Sequence, residues 1–206
     1  MKKLLTLALL ISLIIACKKD EGSSKEEKKE DKEELSCIHF INFLKKTATA
    51  TYNVSTMSGF YNQMIATYTP INENVSRMNI RYTGMFSATL KDTLYYYACG
   101  SKLYHSTQEN LSDTTLFIDL NAPANQVYGA KLYNFILGYE EDVQHKIVDK
   151  SHKFTIGDSQ YYGYKILTLV EDEGKYVEMG HLIFSPEFGI TEFQSMNESR
   201  QIISYE

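Results

Sequence analysis

The chain has 206 residues, 43% of them hydrophobic, with 16 Tyr, 10 Phe, three Pro, no Trp and a formal net charge of −5. That length supports one domain around one core. The acidic balance offers none of the basic footprint that a phosphate backbone requires, which argues against nucleic acid as a partner.

In chain order, Lys2 and Lys3 precede an apolar run from Leu4 to Ala16, interrupted by Thr6 and Ser12. A spanning helix needs about 20 apolar residues, so residues 1–16 fit the shorter apolar region of a secretory signal. The run ends in Ile14-Ile15-Ala16-Cys17, which resembles the bacterial lipobox. The resemblance implies cleavage before Cys17, acylation of its thiol and of the new amino terminus, and attachment to a membrane through the lipid. Two acyl chains already give stable attachment. The next residues, Lys18-Lys19-Asp20-Glu21, are similar to the export signal of surface lipoproteins in Bacteroidota-type bacteria. That similarity implies an outer-membrane address facing the cell surface, with the periplasmic face as the alternative.

From Lys18 to Glu34 every residue is Lys, Glu, Asp, Ser or Gly. Such a segment cannot bury enough surface to offset its ordering entropy, so residues 17–35 are expected to be an acylated, disordered tether reaching roughly 25 Å. Its six lysines and eight acids, with Lys2 and Lys3 removed, leave −5 on residues 36–206. Two cysteines remain, Cys37 and Cys99. Outside the cytoplasm they either pair or stay as two buried thiols. A bridge would contribute about 3 to 5 kcal/mol in the chain-entropy model.

The remaining 36–206 read as a single β-rich domain, because Tyr, Phe, Thr, Val and Ile are frequent and Gly, Asp and Asn punctuate them. Cys37, Phe40, Ile41 and Leu44 recur at helical spacing after Ser36, which predicts one N-terminal helix over 36–46. Residues 57–69 fit either a helix or a strand and lean to strand. Alternation from Met78 through Tyr82 predicts a strand toward Leu90, a turn at Lys91-Asp92-Thr93, and a second strand over Leu94–Cys99. Further strands are predicted at 103–106, 114–120, 127–137, 146–148, 153–156, 161–170, 176–184, 190–193 and 201–205. Their short turns imply consecutive antiparallel pairing. The expectation is therefore a mainly β domain, a curved antiparallel sheet or open half-barrel of about 8–11 strands. The order of these features, with the Phe184-Ser185-Pro186-Glu187-Phe188-Gly189 hairpin, resembles lipoprotein-carrier and related outer-membrane lipoprotein domains. It is also similar to a Ser-Pro-x-x-Gly turn in secreted β proteins.

No motif supplies chemistry. His39, His105, His145, His152 and His181 lack the local spacing of a zinc site, although His145 and His152 lie near Glu140-Glu141-Asp142 and could converge with His181 across paired strands as a weak metal site. Cys99 beside His105 carries no thiol-nucleophile signature, and the glycines are scattered singly, without a phosphate cradle. No catalytic residue, cofactor or metal is assigned, and the chain is read as a non-enzyme. Tyr95-Tyr96-Tyr97 and Tyr161-Tyr162 with Tyr164 put rings on both faces of two strands. One face packs in the core, and the other is the candidate lining for an apolar or glycan ligand. Asp92-Thr93-Leu94 and Asp113-Thr114-Thr115 resemble O-glycan acceptors in exposed turns. The functional expectation is an outer-membrane-anchored, non-catalytic binding domain for an apolar or glycan ligand. The alternative is an accessory subunit docking on an outer-membrane protein complex, and a hydrolase with an unrecognised site ranks last. A binder predicts a deep Tyr- and Phe-lined pocket, and a docking subunit predicts an exposed apolar patch.

Overall fold

The computed structural model describes residues 40–57, 59, 61–84, 89–134, 138–196 and 198–206. The signal, Cys17, the tether, Cys37 and His39 lie outside these residues. All described residues belong to one compact unit, Ser36–Glu206.

Twelve strands follow a single turn of 3-10 helix, Asn42–Lys45. They are β1 (Ala48–Thr56), β2 (Tyr61–Pro70), β3 (Val75–Gly84), β4 (Thr89–Cys99), β5 (Lys102–Ser106) and β6 (Thr115–Asp119). The second half holds β7 (Val127–Asn134), β8 (Tyr139–Ile156), β9 (Ser159–Asp172), β10 (Lys175–Ser185), β11 (Gly189–Ser195) and β12 (Glu198–Tyr205). One antiparallel sheet contains them all, in the order β6-β5-β4-β3-β2-β1-β12-β11-β10-β9-β8-β7. The first strand pairs with the last, Val54 opposite Arg200, so the sheet curls into a nearly closed barrel whose two edges are β6 and β7.

Alternation decides which residues enter the barrel. Ala50, Tyr52 and Val54, then Met64, Ala66 and Tyr68, then Met78, Ile80 and Tyr82 are buried, while Asn53, Arg77, Asn79 and Arg81 between them are exposed. A membrane-spanning barrel has the opposite polarity, apolar outside. Interior space is filled by side chains. Phe43 packs edge-on against Tyr68, Tyr96 and Phe184 at ring distances of 5.2, 5.9 and 6.0 Å. A smaller apolar cluster joins Phe154, Ile183 and Phe188, with Tyr161 and Tyr205 against it.

The mainly β, curved-sheet expectation holds, with one strand more than the upper count. Residues 61–70 resolve the ambiguous stretch as strand. Three local expectations are corrected. First, only Asn42–Lys45 is helical among the described residues of 36–46. The apolar spacing there serves to close one barrel end: Ile41, Phe43 and Leu44 are buried, and the amides of Asn42 and Phe43 donate to Pro186 O at 2.7 and 3.1 Å. The Ser185–Gly189 hairpin thus holds this plug in place. Second, Lys91-Asp92-Thr93 is not a turn but runs within β4, opposite Arg81, Ile80 and Asn79. Thr93 is half-buried and donates to Asn79 Oδ1 at 3.2 Å. Third, 146–148 and 153–156 belong to one strand, β8, which stays continuous because its register shifts twice against β9, around Asp149. Such bulges absorb extra residues and bend the strand.

Candidate functional site

The six tyrosines do not share a platform. Tyr96 is buried among Phe43 and Phe117. Tyr95 and Tyr97 lie half-buried on the other face of β4, with Tyr97 5.7 Å from Tyr104. Tyr161 packs on Phe188 and Phe154, Tyr164 lies half-buried against the main core, and Tyr162 is exposed under Lys153 Nζ. The histidines are equally dispersed: His152 meets Asp149, His181 meets Glu192 at 2.9 Å, and His145 is buried. No group of three or more His, Cys, Asp or Glu is placed to hold a metal ion among the described residues. Cys99 is disulfide-bonded, so it is no free thiol beside His105.

Nor do the described residues enclose a deep pocket. The largest recess lined by described residues, about 770 Å³, is open and of mixed character, with Ile65 and Ile80 beside Thr67, Asn79, Arg81, Lys91 and Thr93. The cavity between Leu132, Tyr133, Met179, Phe193, Met196 and Arg200 holds about 80 Å³. Ligand sites occupy about 300–1,000 Å³ and are mostly apolar.

Two features stand out instead. One is the barrel end formed by the connections β1–β2, β11–β12, β9–β10 and β7–β8, opposite the Phe43 plug. Met57 and Met196 there are 80% and 73% exposed, the highest values among large apolar residues described. Tyr139, Tyr176 and Val177 are also exposed. These connections are consecutive around the ring, because β2, β1, β12, β11, β10, β9, β8 and β7 are successive neighbours. The exposed acids Asp142, Glu171, Asp172, Glu173 and Glu178 share this arc.

The other is the seam between β6 and β7, which lie side by side without a backbone ladder. Side chains bridge it. His145 of β8 contacts Phe117 O of β6 through Nδ1 at 2.9 Å. The Asp119 amide of β6 donates to Tyr128 Oη of β7 at 3.4 Å. Glu140 of β8 accepts from Thr115 of β6 at 3.1 Å, and its Oε1 lies 2.9 Å from His105 Nε2 of β5, close enough to pair but out of line for a hydrogen bond. Lys131 of β7 reaches the other Glu140 oxygen at 3.6 Å, and Tyr133 of β7 donates to Asp92 of β4 at 2.8 Å. His105 stacks on Phe117, and Phe117 and Tyr128 both meet His145 edge-on. Burial pushes His145 down to about 4. His105 is also lowered by burial, although Glu140 pulls the other way.

Sequence reasoning missed this seam and the buried Glu198–Arg200 pair. Comparison with family models, with curated proteins and with solved structures finds no match to this chain.

Proposed function

We propose that this protein is an outer-membrane lipoprotein whose barrel is a non-catalytic docking module, held by acylated Cys17 and its charged tether. It meets a partner protein with the barrel end that carries Met57, Tyr139, Tyr176, Val177 and Met196. The observation that carries this reading is the pairing of a filled interior with an apolar, acid-edged end. Exposed apolar groups gathered in one region mark interaction sites. The acids on the arc disfavour an anionic lipid surface and favour a partner with basic groups around an apolar contact. The chain enters the barrel at the other end, through Phe40–Lys46.

A photo-crosslinking residue placed at 57 or 196 of the full-length lipoprotein, in its native envelope, tests the reading. Both positions should capture the same outer-membrane protein, and position 53 on the outer barrel wall should not. Adducts with lipid alone, or the same products from position 53, would remove the docking end. A small molecule retained by the natively purified protein would favour ligand binding instead.

A further inference from the structure

Every other junction in the ring is a ladder of backbone hydrogen bonds, which do not titrate. The β6–β7 junction hangs on ionisable side chains. Phe117 O can only accept, so the neutral His145 ring must carry its proton on Nδ1. Its Nε2 has no partner among the described residues, and neither does Oγ1 of Thr168, its register partner on β9. A second proton would place a full charge on a ring with no exposed surface, and a buried charge without a counter-ion is disfavoured. The neighbours offer none. From β5 the facing group is His105, another base. From β6 and β7 they are the Phe117 carbonyl and the Tyr128 phenol, and from β9 it is a hydroxyl. Glu140 is engaged by His105, Thr115 and Lys131. Asp113 is engaged by Ser106 and Thr107, and Asp119 lies by Lys102.

We propose that the β6–β7 seam is a lateral gate that acid opens by protonating His145. Opening brings water to the ring, breaks its bond to Phe117 and releases two strand edges, together with the inward faces of Phe117 and Tyr128. The sign follows from the two states. In the open form His145 takes its proton near 6.5, in the closed form only at about 4. Closure is therefore at full strength above pH 6.5 and weakens as pH falls through that window, by about 30-fold at pH 5. His105, lowered in the same direction, adds to the effect. The inference does not depend on the docking end.

Hydrogen exchange of the mature acylated protein in detergent micelles, corrected for intrinsic rates, tests it at pH 7 and pH 5. The seam-facing amide of Asp119, which donates across to Tyr128, should lose about 20-fold in protection between pH 7 and pH 5, while amides of 48–56 and 198–205 keep theirs. His145→Asn retains a non-titrating donor toward Phe117 O and should keep the seam protected at pH 5. An Asp119 amide that stays protected in the wild-type protein, or that opens together with the β1–β12 ladder, would overturn the gate. So would an Asn variant that opens like the wild type. If that variant does not fold, NMR titration of the His145 ring decides. Protonation must track the loss of seam protection, and a ring that titrates at a different pH refutes the mechanism.

Discussion

Arg200 sits in the barrel interior, 5% exposed, with its guanidinium 4.3 Å from the centre of the Phe193 ring. Its Nε lies 3.2 Å from Glu198 Oε1, and the same oxygen accepts from the Tyr82 hydroxyl at 3.0 Å. Removing either charge alone strands the other in a medium that solvates it badly, and breaking such a pair costs about 3 to 5 kcal/mol. Glu198→Leu should lose stability in that range in urea unfolding of the mature protein. The double variant Glu198→Leu/Arg200→Met should regain most of the loss, since apolar replacement of both partners is often neutral. Recovery absent in the double variant would show that the pair does more than neutralise itself. Parts of this were readable in the sequence. Ile202 is inward, so Arg200 and Glu198 at two-residue steps must be inward too, but the predicted strand began at Gln201 and left them out. His145 sits between Val143 and Ile147 on an apolar stripe, and His105 follows Leu103 in the same way. Alternation gives their side of the sheet. It cannot give their partners, which come from strands far away in the chain.

Among the strands, errors arose where polar residues ride on a continuous ladder. Lys91-Asp92-Thr93 has turn composition, yet Asp92 points toward Tyr133 while Lys91 is exposed on the outside, so the segment alternates as any strand does. Asp149-Lys150-Ser151 broke the predicted pattern because a bulge shifts the alternation, and nothing local distinguishes a bulge from a turn. The β9–β10 hairpin was legible: Glu173 and Gly174 both adopt positive φ, 47° and 76°, in the two-residue loop that Gly favours. A strand glycine was harder to interpret. A Cβ on Gly180 would fall 1.9 Å from Gln194 O and 2.9 Å from Ser195 Cα, both backbone atoms of β11. On Gly129 it would meet nothing nearer than the Gln144 side chain at 3.9 Å. Gly180→Ala should therefore destabilise by at least about 2 kcal/mol through overpacking, while Gly129→Ala should stay within about 0.5 kcal/mol of the parent. Thermal melts of the two variants side by side check the contrast, and equal losses would contradict it.

The fold class of the whole molecule was accessible because period-two patterning recurs from Ala48 to Tyr205, and the strand total was short by one at its upper bound. Closure was not accessible. It depends on β1 meeting β12, a contact that spans the length of the domain and leaves no local mark. The ends of the chain exchange paired hydrogen bonds there, Thr49 N to Glu206 O at 2.8 Å and Glu206 N to Thr49 O at 3.0 Å. Ring order and chain order thus differ only by a rotation. Started at β7, the same strands would form a plain meander in which every consecutive pair is hydrogen-bonded, with β6 and β7 as its natural ends. A circular permutant that opens the chain between Pro123 and Ala124, and joins Glu206 to Ser36 through a Gly/Ser linker, cuts no ladder. It should fold to within about 2 kcal/mol of the parent, as permutation at exposed loops generally does. A permutant opened between Gly157 and Asp158 severs the long β8–β9 hairpin and should be the less stable of the two in urea. The 120–126 connection is then a covalent clasp on a ring that needs none to form, and new sequence can be added at that point without disturbing any strand pair.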